Sequence, residues 1–134
     1  YVISAHDDLE RLIKSEKDLD FIQINFSIRT RNAARRLLPM AKDHGVAVLI
    51  NRPYEGGSLF RKVKGRDLPA WAKEWDINSW GQYFLKYIVS HRAVNAAIPA
   101  TTKLHHLKDN MGAAYGRLPD AKTRDKMVAY LEQL

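Results

Sequence analysis

Cysteine is absent from the 134 residues. Its absence excludes disulfides, thiolate zinc sites and a cysteine nucleophile, and it accords with a reducing, cytoplasmic setting. No apolar run approaches the roughly 20 residues that span a bilayer, and no basic, then apolar, then small-residue leader opens the chain. A membrane partner is therefore not expected. A start at Tyr1 in place of methionine is expected of a processed or cut piece of something longer. Acidic residues are in the minority, 15 against 22 basic ones, for a net charge of +7. That balance favours anionic ligands, whether nucleic acid, membrane surface or phosphorylated cofactor, unless an acidic segment elsewhere offsets it. A hydrophobic share of 46% and a charged share of 28% are ordinary for a globular chain. The length suffices for one domain with a real core.

Four apolar, partly β-branched runs punctuate the chain: Tyr1-Val2-Ile3, Phe21-Ile22-Gln23-Ile24-Asn25-Phe26, Val46-Ala47-Val48-Leu49-Ile50 and Val94-Asn95-Ala96-Ala97-Ile98. The third is continuous and predicts a strand buried on both faces. The second interleaves Gln23 and Asn25 with apolar residues, as a strand facing a ligand-bearing lumen can do.

Helical patterns lie between these runs. Leu9, Leu12 and Ile13 repeat at helical spacing. Ala33 to His44 reads as a helix stopped by Gly45 and kinked or broken by Pro39. Asn78 is placed to cap a longer helix with Trp80, Phe84, Leu85, Ile88 and Val89 on its apolar face. Leu104 to Ala114, ending near Gly116, and Asp120 to Leu134 read as the last two helices. Strands alternating with helices imply an α/β fold of parallel βα units with right-handed crossovers. Such units fit either a small open sheet or half of a TIM (β/α)8 barrel, because a complete barrel needs about 250 residues. No internal repeat or low-complexity tract is present.

Ligand-binding residues of parallel α/β folds gather where strands end. The first such end carries Gln23 and Asn25, amides able to pair with a ligand amide or with core backbone. The second runs from Asn51-Arg52-Pro53-Tyr54-Glu55-Gly56-Gly57-Ser58-Leu59 to Arg66, with adjacent glycines that admit an anion and with Arg52, Arg61, Lys62, Lys64 and Arg66 around them. It also reads as a solvated charged loop. The third places Thr101, Thr102 and Lys103 before a helix, a seat for phosphate or an ordinary threonine cap. His106 and Asn110 share one face of that helix. His105 and His106 diverge on a helix and lack further spaced ligands, so no metal is expected there.

The stretches Asp20-Phe21-Ile22-Gln23-Ile24-Asn25-Phe26-Ser27, Gly45-Val46-Ala47-Val48-Leu49-Ile50-Asn51-Arg52-Pro53, Glu55-Gly56-Gly57-Ser58-Leu59-Phe60 and Ile98-Pro99-Ala100-Thr101-Thr102 with Asp109-Asn110 together resemble aldo-keto reductases, in that family's order and near its spacing. The resemblance covers nearly the whole chain, from the family's fifth barrel strand to its C-terminal helices. It implies a single partial domain, residues 1–134, forming the C-terminal half of the barrel, and a nicotinamide dinucleotide, NADP or NAD, as cofactor.

By that resemblance Gln23 binds the nicotinamide carboxamide. Asn51 holds the position from which many members stack an aromatic ring. Arg52 and the Gly56-Gly57-Ser58 loop wrap the pyrophosphate. Thr101 and Lys103 meet the adenosine 2′-phosphate, where His106 replaces an arginine common in the family. Asp109 and Asn110 bind the adenine edge. Ser4 is the only nearby candidate for the polar pair with which the family also binds the carboxamide, and the stretch from there to Asp7-Asp8 is shortened against the family's pattern. The family's catalytic tyrosine, lysine, histidine and aspartate belong to the first four barrel units, and Tyr54, Tyr83 and Tyr87 fall outside its catalytic context. The chain alone is thus expected to bind cofactor and not to turn over. A carbonyl substrate is expected only when the other half is present, and the open edges imply self-association or pairing with that half. A basic nucleic-acid-binding module and a non-catalytic structural half-barrel are the rival readings.

Overall fold

The computed structural model describes residues 6–134. The strand expected at Tyr1-Val2-Ile3 and the candidate Ser4 lie outside the described residues. Helix α1, His6–Ser15, precedes strand β1, Phe21–Asn25. A 3-10 turn at Asn32–Ala34 leads into helix α2, Leu37–Asp43, and strand β2, Ala47–Asn51, follows. A turn at Glu55–Gly57, the short helix α3, Ser58–Lys62, and a 3-10 helix at Ala70–Trp75 fill the long connection to helix α4, Trp80–Val89. Strand β3, Ala96–Ala97, helix α5, Leu104–Gly112, and helix α6, Ala121–Gln133, complete the chain. The strands form one parallel sheet in the order β1-β2-β3, with Gln23 opposite Leu49 and Asn25 opposite Asn51.

The sheet has two unlike faces. Ile22, Ile24, Val48 and Ile50 are buried against the helices. Phe21 and Gln23 point to the opposite face and are exposed, Phe21 by 55%. The continuous run 46–50 predicts a strand buried on both faces, yet Ala47 and Leu49 are only half-buried. Their apolar character suits a lumen.

The helices form where capping and packing allow. The expected helix from Ala33 to His44 is two pieces, as a proline break requires, but the break falls at residues 35–36. Pro39 sits in the first turn of α2, where its missing N–H costs no hydrogen bond. The cap of α4 is Ser79, not Asn78: the Ser79 hydroxyl accepts the Gln82 N–H at 3.0 Å. Asp120 caps α6 in the same way through Thr123. Helix α5 ends two residues earlier than expected, and the chain then turns through Gly116 at φ 74°. β3 is two residues long because the Asn95 side chain accepts the Val48 N–H at 2.9 Å, in place of a backbone partner.

Helix α4 runs through the middle of the fold, buried from Gly81 to Ile88. It is apolar on nearly every side, the composition of a buried helix and not of a surface one. Within it Lys86 is fully buried, and its ammonium donates to the carbonyls of Trp75 and Tyr115 at 2.8 Å and of Arg117 at 2.9 Å. These three bonds use all of its donors and tie the loops before α4 and after α5 to one point. Helix α6 closes the core with Met127 and Leu131.

Candidate functional site

The strands are parallel, so all three end at the same edge of the sheet, and the loops that follow them lie together there. In the first loop Ser27, buried, turns the chain by accepting the Thr30 and Arg29 N–H groups at 2.9 and 3.1 Å. In the second, Arg52 and Glu55 adopt left-handed backbone, φ 48° and 50°, ahead of Gly56 and Gly57 at 63° and 85°. Glycine accepts that conformation freely and the other two do not. In the third, Thr101 accepts the Lys103 N–H at 3.2 Å, and α5 starts after Lys103 with no side-chain cap. The threonine therefore orders the approach to the helix instead of capping it.

Three cavities lie along this edge and share lining residues. One of about 370 Å³ is lined by Asn25, Ser27, Arg29, Thr30, Arg52, Glu55 and Ser58. The next, about 420 Å³, shares Arg52 with it and adds Tyr54, Gly56, Gly57, Phe60 and Ala100. The last, about 520 Å³, shares Tyr54, Phe60 and Ala100 and adds Trp80, Thr101, His106, Asp109 and Asn110. Neighbouring cavities share lining residues, so the three follow one another as a trough-like series from the end of β1 to α5.

The structure thus brings Arg52, Gly56, Gly57 and Ser58 together with Thr101, His106, Asp109 and Asn110 along this series. Gln23, Asn51 and Lys103 line none of these cavities. Gln23 stands exposed on the open sheet face and Lys103 is exposed ahead of α5. Asn51 lies in register with Asn25, and the side-chain oxygen of each is buried without a hydrogen-bond partner. Two such acceptors side by side fit a ligand that brings N–H or O–H donors.

The far end of the trough is held by groups that the residue pattern did not single out. Tyr54 donates to the Asn110 side-chain oxygen at 2.6 Å. Burial first, and then the Asp109 charge, push the Tyr54 phenol far above its ordinary range, so it remains a donor. Ser79 donates to Asp109 at 2.6 Å, and Gln82 donates to the same carboxylate at 3.0 Å. Asp109 is therefore already engaged, and the Asn110 amide NH₂ remains to read a ligand edge. At the near end Glu55 accepts from Ser27 at 2.5 Å, Thr30 at 2.8 Å and Ser58 at 3.4 Å, with Arg29 at 3.8 Å. Burial would raise the Glu55 carboxyl, but the Ser27 and Thr30 hydroxyls, the Arg29 charge and Ser58 together hold it below its ordinary range. Only the hydroxyl and glycine content of the flanking loops hinted at these contacts. The His105 and His106 rings lie with centroids 4.1 Å apart and planes tilted by 43°, and among the described residues no three metal-ligating side chains converge.

The aldo/keto reductase family model matches residues 3–126. Two solved structures, the holo and apo forms of an aldo-keto reductase from Bacillus halodurans, superpose with a TM-score of 0.68 at 18% identity. Each covers 93% of this chain, while the chain covers 46% and 47% of theirs. At that identity the likeness speaks for the fold, a partial TIM barrel, and the chain spans about half the length of the structures it matches. No curated protein matches. With the family model covering most of its length, this chain belongs to the aldo/keto reductase family.

Proposed function

We propose that residues 1–134 are the cofactor-holding half of a nicotinamide-dependent carbonyl reductase, binding NADP or NAD and incapable of turnover alone. The observation that supports this reading is the order of the three neighbouring cavities, with Arg52 and the paired glycines in the middle and an aromatic, amide-bearing pocket at one end. A dinucleotide has that order of parts.

In this reading Gln23 with the unpaired Asn25 and Asn51 oxygens would orient the carboxamide on the open sheet face. Asn51 cannot stack as an aromatic ring would. Arg52 and the Gly56-Gly57-Ser58 turn would meet the pyrophosphate, and Thr101 and Lys103 a 2′-phosphate. His106 would lie beside that phosphate in place of the family's arginine, and Asp109 and Asn110 would border the adenine, with Asn110 held by Tyr54 and Asp109 by Ser79 and Gln82. Hydride for a carbonyl carbon is the chemistry that the nicotinamide supplies when bound. The residues of this chain bind and orient it. The tyrosine that donates the proton in the family has no counterpart among them.

The open face that carries Phe21 and Gln23 is, in this account, covered by a second body, either the other half of the barrel or another copy. The test is calorimetric titration with NADPH and NADH together with an aldehyde-reduction assay. Saturable binding without turnover is expected. Turnover by the pure 134-residue chain would overturn the second part of the proposal, and no binding of either dinucleotide would overturn the first.

A further inference from the structure

The carboxylate of Glu55 lies inside the first cavity, surrounded by the groups that an anion would seek. Ser27, Thr30 and Ser58 supply hydroxyl donors at 2.5, 2.8 and 3.4 Å, and the Arg29 guanidinium stands 3.8 Å away. Ser27 is itself buried and fixed by two backbone N–H groups, so this donor set is built into the loop. Glu55 is the one carboxylate among the residues lining that cavity. It is held there by a backbone in the left-handed region, φ 50°, where an L side chain is strained. A phosphoryl group entering the same seat would need the same donors and would meet a negative charge already in place.

We propose that Glu55 is an internal counter-anion of the phosphate seat: its carboxylate occupies the hydroxyl donors of Ser27, Thr30 and Ser58 beside the Arg29 charge in the free chain and leaves them when a phosphoryl group enters. This rests on the dinucleotide reading for the identity of the ligand, though not for the existence of the seat. Apparent affinity is then the intrinsic affinity reduced by the fraction of chains in which the carboxylate has swung out. Glu55 thereby sets how tightly this trough holds a phosphorylated ligand.

The test is titration of inorganic pyrophosphate and of NADPH, separately, at low salt into the unaltered chain, Glu55→Gln, Glu55→Gly and Glu74→Gln. Glutamine keeps the side chain's shape and removes its charge. Glycine removes the side chain and suits the left-handed backbone, so at least one variant retains the fold. Glu74 is an exposed acid outside the three cavities and makes the same change in net charge. Pyrophosphate is expected to bind at least about tenfold tighter to both Glu55 variants and no tighter to Glu74→Gln. Equal or weaker binding by the Glu55 variants, or an equal gain in Glu74→Gln, would overturn the proposal. NADPH binding to the unaltered chain with no gain on changing Glu55 would overturn this inference and leave the dinucleotide reading standing. A pyrophosphate gain with no NADPH binding in any variant would support the seat and overturn the dinucleotide reading.

Discussion

Lys86→Met is the substitution whose cost follows most directly from the structure. Methionine is close to lysine in length and suits a core, so packing within α4 is preserved and the three donors are lost. The carbonyls of Trp75, Tyr115 and Arg117 would then each lose a charged partner. A hydrogen bond to a charged group is worth about 1.5–3 kcal/mol net. The three share one ammonium, and taking that charge out of water costs several kcal/mol, so they do not sum. Burial holds the lysine below its ordinary range, partly offset by Asp76, which is the same desolvation cost seen from the proton's side. A net loss of about 3 kcal/mol is expected, the cost of leaving three carbonyls without the ammonium at about 1–3 kcal/mol each, less the desolvation cost that is no longer incurred. With about 2.1 cal/mol/K of unfolding entropy per residue, that lowers Tm by about 10 °C. Urea unfolding followed by tryptophan fluorescence reads the change, with Trp75 at the broken contact. Because Asp76 also accepts the Arg117 N–H at 2.8 Å, the loops around α5 loosen together, and dinucleotide affinity is expected to fall as well. A Tm within about 2 °C of the parent would refute the reasoning and mean that water replaces the ammonium at no cost.

Two further outcomes follow. His91 accepts the Ala93 N–H on Nδ1, and burial, then the charges of Arg124 and Lys42, lower its pKa to about 4 from the ordinary 6.5. The unfolded chain therefore binds the extra proton between pH 6.5 and 4, and stability falls as pH drops through that window. For a half-buried ring the loss is about 1–2 kcal/mol. Urea midpoints at pH 7.5 and 4.5 check it, and a His91→Gln variant with an unchanged slope would show the cause to lie elsewhere. Phe21, exposed on the open sheet face, is expected to drive self-association that Phe21→Glu reverses. Sedimentation velocity that finds the unaltered chain monomeric at micromolar concentration would contradict it.

The parallel βα order and the trough's central residues were legible in the sequence because each rests on local rules. Alternation at Phe21 to Phe26 and the stop at Gly45 depend on near neighbours only. The half-open state of Leu49 was not legible, since a continuous apolar run looks the same whether its second face is covered by this chain or by something else. Asn78 and Ser79 are both capping types, and only the bond from the Gln82 N–H selects Ser79. Glu55 reads as one acid in a basic loop until Ser27 and Thr30, far away in sequence, converge on it. The burial of Lys86 had a sequence sign in the apolar surround of α4, but its three carbonyl partners come from two separate loops and carry no side-chain signature.

Amide chemical-shift mapping with ¹⁵N-labelled chain and NADPH tests whether the three cavities and the adjoining sheet face bind one dinucleotide together. Concerted, saturable shifts are expected at Gln23, at residues 51–58 and at residues 101–110, with the helices on the far side of the sheet unmoved. Shifts confined to one of these segments, or scattered over exposed basic residues and lost with salt, would contradict such joint binding.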